Sequence, residues 1–522
     1  MPSPQIYVTQ AANPGRSVFN LSYEQKTTTD MGMIIPICCK EAMPGDVFKI
    51  DEGVICRLMP QVAPILHKID IRLEFYFAPY RKLWEAADPD NWEQFITGGD
   101  DGLQSTGTFP TWNPATKTTG SLWDYLNFPV GITPTDRYPS ALPARAYTWI
   151  WNEWYRSQEL QSEETIDLTG GVDTTDYEVL KRAWRHDYYT ACLLQQQRGV
   201  APALPISGII DVDSANSQIT LHNTSDSTPQ VLTTVVTTAN VAVSAAHSAT
   251  AGARWDDTGM QVDLTNGTTF DIASLRLATS QQRYLERNNR AGARYTEWLK
   301  SHYGESPQDS RLDRPEMIGT ARIPIQTQTI FQNSETSTTP QGTMAGSGMA
   351  IDGVSIGRYR VQEWGLIMGL LTILPAPAYQ QGVDREWIKE TRYDFYSPEF
   401  SQLSDQIVEE VEIMASATGA NNTTLFGYIG AWDHYRTSHN KVSGYMRSGS
   451  SPDFSYWHLA RHFSTRPSLN SAFITMDGEY ASNPTMKRIF AVQDEQSFML
   501  QIGNGLTVSR PLPFIAKPGG QL

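Results

Sequence analysis

The chain has 522 residues, of which 40% are hydrophobic, 11% aromatic and only 19% charged, and its formal net charge is −15. A balance this acidic excludes a protein that coats nucleic acid over its whole surface, because backbone binding depends on Lys and Arg displacing counterions. Low charge together with many aromatics points instead to a subunit whose surface is in good part covered by other subunits.

No Gly/Ser-rich or Pro-rich linker divides the chain, so one elaborated domain over 1–522 is expected rather than two or three. The cysteines, Cys38, Cys39, Cys56 and Cys192, form no C-x-x-C pair and no zinc spacing, and read as buried free thiols suited to a reducing compartment. The start, MPSPQIYVTQ, is not a basic-then-apolar leader. The most apolar run, 364–378, is too short to span a membrane and is broken by Pro375, so a soluble intracellular product is expected.

In chain order, a strand pattern covers 47–58. The segment 69–77 follows, with Ile69, Ile71, Leu73, Phe75 and Phe77 on one face and Asp70, Arg72 and Glu74 on the other, a half-buried strand ended by Pro79. SLWDYLNF at 121–128 reads as a helix. At 142–160, LPARAYTWIWNEWYRSQEL puts Tyr147, Ile150, Trp151, Trp154 and Tyr155 on one helical face behind Pro143. At 176–193, Arg182, Arg185 and His186 are interleaved with Trp184, Tyr188 and Tyr189, a mixture on which bases of single-stranded DNA could stack. Neither aromatic stretch carries a catalytic signature, and both are expected to pack against protein.

The stretch 207–271 is rich in Ser, Thr, Ala and Val, and its VLTTVVTTANVAVSA run has high β-propensity, so it reads as a surface insertion with some strand in it. A helix is expected at 271–288. Arg283, Arg287, Arg290 and Arg294 are spaced four, three and four, which makes a basic stripe if one helix runs through them, although Gly292 interrupts it. The stripe reads either as a solvated face paired with Glu286 and Glu297 or as a contact for phosphate or acidic side chains. Further strands are expected at 322–331, 358–374, 405–414 and 496–502, with the Gly- and Thr-rich 333–353 as a flexible loop. Strands this dispersed, joined by long connections, suit an antiparallel sandwich of jelly-roll type.

Two patterns tempt toward chemistry. Gly353-Val354-Ser355-Ile356-Gly357 matches the G-x-S-x-G elbow, but that motif needs a turn from strand into helix, and the residues after it read as strand. His458 and His462 are four apart on an expected helix, yet Leu459 stands where a zincin has Glu, so a structural pair is the better reading. No catalytic residue, metal ligand or cofactor is assigned.

Eight collinear blocks carry a family resemblance: 17–37, 42–50, 61–85, the pair ARAYTWIWNEWYRSQEL and LKRAWRHDYYTACL, 293–319, 379–400, 457–474 and SRPLPF at 509–514. In wording and order they resemble the major capsid protein of the Microviridae, in its gokushovirus branch of small single-stranded DNA bacteriophages. The chain departs from that pattern after Cys192, where LLQQQRG replaces the usual Pro-Trp-Pro, and over 207–271. The resemblance implies an eight-stranded jelly roll with long helix-containing loops that assembles through pentamers into a T=1 icosahedral shell. It also implies a virion assembled in the host cytoplasm, a circular single-stranded DNA genome, a small basic DNA-binding partner, a pilot or minor capsid protein and a host cell-surface receptor, with 207–271 as an outward protrusion. Within that reading the DNA-contact candidates are Arg182, Trp184, Arg185, Arg283, Arg287, Arg290 and Arg294. Two other classes remain open from sequence: a carbohydrate-binding jelly-roll module, and a serine hydrolase acting through Ser355.

Overall fold

Ten strands of the computed structural model make two antiparallel sheets packed face to face. It describes residues 15–85, 91–98, 108–131, 137–202, 272–337, 340–476 and 485–515, with the backbone of short strands between 212 and 262. The sandwich strands are β1 (Ser17–Asn20), β2 (Tyr23–Thr29), β3 (Ile34–Ala42), β4 (Val47–Leu58), β5 (Ile69–Pro79), β6 (Glu316–Pro324), β7 (Gln326–Phe331), β8 (Met344–Arg360), β9 (Gly365–Pro375) and β10 (Phe498–Arg510). In the first sheet β1 and β2 both pair with β10, followed by β4, β8 and β7. The second runs β6, β5, β9, β3.

Alternation decides which side chains meet between the sheets. Phe48, Ile50, Val54, Cys56 and Leu58 of β4 point inward with Phe498, Leu500, Ile502, Leu506 and Val508 of β10, and meet Ile69, Ile71, Leu73, Phe75 and Phe77 of β5. The inward face of β5 is therefore the one its sequence marks. Toward its end at Pro79 the other face is covered as well, because Tyr76 and Ala78 lie in a second cluster with Leu366, Met368 and Leu370 of β9 and the helix α1 (Leu142–Ile150). Burial on both faces explains why β9 is one unbroken apolar run.

Several boundaries differ from the sequence reading, each for a local reason. The 322–331 segment is two strands in different sheets, divided at Ile325 after Pro324, whose ring cannot donate to a ladder. The 358–374 segment is likewise the end of β8 and the whole of β9. At 405–414 a strand, Asp405–Glu409, gives way to a helical turn, Glu410–Ile413. The expected loop 333–353 is corrected most: from Met344 onward it is β8, paired on both sides. Its glycines serve close packing, since a Cβ at Gly346 would lie 2.6 Å from the Ala63 carbonyl oxygen. Residues 458–462 form no helix.

The excursion from β5 to β6 holds α1, which closes with a π turn at Trp151–Tyr155, and the helices α2 (Ile272–Ala291) and α3 (Tyr295–Tyr303). The chain divides into two compact units, Met1–Gln196 with Arg290–Leu522, and Gln197–Asn289. The sandwich belongs to the first. In the second, 212–214 pairs with 260–262, 220–223 with both 229–231 and 253–255, and 236–237 with 240–241. The Val231–Val243 side chains lie outside the described residues.

Candidate functional site

The two aromatic stretches are largely interior. The Tyr147 hydroxyl donates to the Ile34 carbonyl at 2.8 Å and accepts from the Leu180 N–H at 2.9 Å, while the Trp151 and Trp154 indoles donate to the Lys181 and Pro315 carbonyls at 3.0 and 2.9 Å. Arg145 on α1 is fully buried, held by Asp173 at 3.0 Å and by the Leu83 and Thr169 carbonyls. These contacts satisfy polar atoms that burial would otherwise leave costly.

The DNA-contact candidates of the second stretch come apart. Arg182 grips Glu74 with two nitrogens at 2.7 and 2.9 Å and lies 5.0 Å from the Tyr155 ring, whose hydroxyl also donates to Glu74. Trp184 is 2% exposed and packs beside the Arg461 guanidinium, so its ring is not offered to a base. Arg185 and His186 are exposed. The four-arginine stripe is divided too. Gly292, at a φ of +100°, ends α2, and only Arg283, Arg287 and Arg290 stand on that helix. Arg283 and Arg287 are exposed; Arg290 is paired with Asp405 at 2.6 Å. Arg294 is half-buried and donates to the Arg156 carbonyl at 2.8 Å, with Glu297 at 3.6 Å.

Ser355 lies inside β8, opposite Asp51 of β4, with strand before and after it. The strained turn of a nucleophile elbow is missing, which removes the physical basis of the hydrolase reading. His458 is buried; its Nδ1 accepts from the Ala460 N–H at 3.0 Å, which leaves Nε2 to donate to the Met446 carbonyl at 2.6 Å. Burial holds its pKa below the ordinary histidine value. Among the described residues no group of three His, Cys, Asp or Glu side chains is placed to hold a metal ion. All four cysteines are free, and burial pushes the Cys39 and Cys56 thiols up to about 12.

Sequence reasoning missed the most conspicuous surface. Between 385 and 446, in the excursion from β9 to β10, Trp387 is 76% exposed and Tyr393, Phe395, Tyr396, Tyr435 and Tyr445 are also exposed. The Lys389 ammonium sits 4.6 Å from the Phe395 ring and 4.8 Å from that of Tyr435, and Tyr396 meets Trp432 edge-on at 5.5 Å. Beneath this band the hairpin of Asp405–Glu409 with Leu425–Gly430 is held by a third core cluster that includes Tyr188, Tyr189, Tyr379 and Phe473. Exposed aromatics on this scale, with Arg392 against the Tyr393 ring, have the enrichment of a protein–protein interface. The signal was available in YQQGVDREWIKETRYDFYSPEF, whose aromatics follow neither the period of a strand nor that of a helix.

Comparison with known proteins places the chain among capsid proteins. Residues 8–520 match the family described as Capsid protein (F protein). The chain is 30% identical to Capsid protein VP1 of Chlamydia phage 1 over 97% of this chain and 95% of that protein. It is 33% identical to Capsid protein VP1 of Bdellovibrio phage phiMH2K over 88% and 87%, and 28% identical to Capsid protein VP1 of Spiroplasma virus 4 over 97% and 95%. A sandwich with long excursions, an exposed aromatic band and these full-length matches lead to one conclusion: the chain belongs to the capsid protein (F protein) family of the Microviridae.

Proposed function

We propose that this major capsid protein builds a T=1 icosahedral shell around a circular single-stranded DNA genome, one subunit per asymmetric unit. The exposed aromatic band at 385–446 is the observation that carries the assembly reading, and its partner is a second copy of the chain. Every contact in such a shell is made by one sequence: five-fold and three-fold contacts close as rings, and two-fold contacts are self-complementary. The subunit's work is association rather than catalysis.

The sandwich itself is an eight-stranded jelly roll in this reading. Strands β2, β10, β4 and β8 form one sheet and β3, β9, β5 and β6 the other, with β1 and β7 as additions at the edges; this order supports two interleaved Greek keys. The insertion at 207–271 is the outward protrusion and contributes to host attachment through a cell-surface receptor. A net charge of −15 leaves the genome to be neutralised mostly by a small basic DNA-binding protein, and a pilot or minor capsid protein completes the virion, assembled in the host cytoplasm. Direct DNA contact falls to exposed cations, among them Arg185, Arg283 and Arg287.

Sedimentation of Trp387→Ser and Phe395→Ser subunits tests the assembly reading. The folded variants should need on the order of tenfold more protein to assemble, as loss of a central interface aromatic costs at least ~1.4 kcal/mol. Unchanged assembly of both would remove the band from the interface.

A further inference from the structure

Alternation along β5 turns Asp70, Arg72 and Glu74 away from the sandwich core, and the register of β6 places Arg322 directly opposite Arg72. Like charges facing one another across neighbouring strands repel unless an anion lies between them. The two carboxylates at hand are already committed: Asp70 to Arg322, and Glu74 to the bidentate grip of Arg182. Arg72 is half-buried and makes no side-chain hydrogen bond or ion pair among the described residues. Burial first, then the charges of Arg182, Arg185 and Arg322, work against its guanidinium, with only Glu74 in its favour. Four arginines against two carboxylates leave two positive charges in excess, in a chain that is strongly acidic as a whole.

We propose that Arg72, Arg185 and Arg322 form a site for a backbone phosphate of single-stranded DNA, on the face of the second sheet turned away from the core. The site rests on the reading that the shell encloses such DNA. A nucleic-acid phosphate fits better than a neighbouring subunit because the side chain beside Arg322 on the same face of β6, Thr320, is polar and exposed. Phosphate contacts draw on Arg and Thr, whereas the centre of a protein interface is apolar and poor in charge. Arg182 is a positioning residue here: it occupies Glu74, which would otherwise compete for Arg72.

The double variant Arg72→Gln, Arg185→Gln breaks no side-chain ion pair among the described residues and removes two cations. Binding of a fluorescent oligothymidylate to purified subunits, followed across a series of salt concentrations, should weaken. The slope of log affinity against log salt should become shallower by about 0.7, the share of one phosphate contact on a single strand. Lys26→Gln, an exposed cation on β2 of the other sheet, should keep the parent slope. The proposal is overturned if the double variant binds with the parent's affinity and slope, if Lys26→Gln shows the same change, or if the parent does not bind the oligonucleotide at low salt. It is also overturned if the double variant keeps DNA binding but no longer forms shells, which would make the cluster a subunit contact. Shells that form around DNA while the double variant binds like the parent would refute this site and leave the capsid reading standing.

Discussion

Glu52 sits on the inward row of β4, 2% exposed, and neither carboxylate oxygen has a hydrogen-bond partner among the described residues. Burial, with a smaller push from Asp51, raises its pKa from 4.5 to about 8. The folded chain therefore holds a proton that the unfolded chain has already lost over that interval. Stability from this group is full below pH 4.5 and is lost as pH rises through 8, the reverse of a salt-bridged carboxylate. Glu52→Gln should abolish this dependence and unfold at higher temperature than the parent at pH 9, by on the order of 3–5 kcal/mol, with the gap closing by pH 4.5. A parent and variant with parallel stability profiles over this range would contradict the assignment. Arg182→Met should destabilise at neutral pH, since it removes the bidentate partner of the nearly buried Glu74 and leaves it only the neighbouring Arg72; a loss of about 1–3 kcal/mol is expected in thermal or urea unfolding. At this scale the sequence was a weak guide. Residue type marks Arg182 and Trp184 as DNA contacts as readily as Arg185, and only the fold separates a guanidinium spent on Glu74 and a covered ring from an exposed cation.

Elements were legible in the sequence where one periodicity dominated. The alternation of β5, the helical stripe of α1 and the helix beginning at Ile272 all stand in the structure. Strand β8 was not legible, because glycines chosen for close approach look the same in sequence as glycines chosen for flexibility. Gly348→Val makes that distinction measurable: its Cβ would fall 2.8 Å from Leu58 Cδ2, so a loss of about 1–3 kcal/mol in unfolding experiments is expected, where a true loop would tolerate the change. The aromatic band was missed for a related reason, since irregular segments held by a third core cluster leave no period to read. For the insertion, replacement of 211–270 by a short Gly/Ser linker should leave shell formation intact and reduce adsorption to the host. Its setting within a compact unit of its own, Gln197–Asn289, supports that outcome. Loss of assembly together with normal adsorption would make it a wall of the shell instead.

For the molecule as a whole, a low charge fraction, two long excursions from a sandwich and an exposed aromatic band describe a chain that completes its burial by association. The family supplies the capsid role, and the band is its proposed physical means. The most direct test is a cryo-electron microscopy reconstruction of particles formed by the purified chain. The expected result is a uniform icosahedral shell with one copy per asymmetric unit, in which Trp387, Phe395 and Tyr435 are buried against a neighbouring copy. A stable monomer at high concentration, or a shell in which these three side chains face solvent, would contradict it.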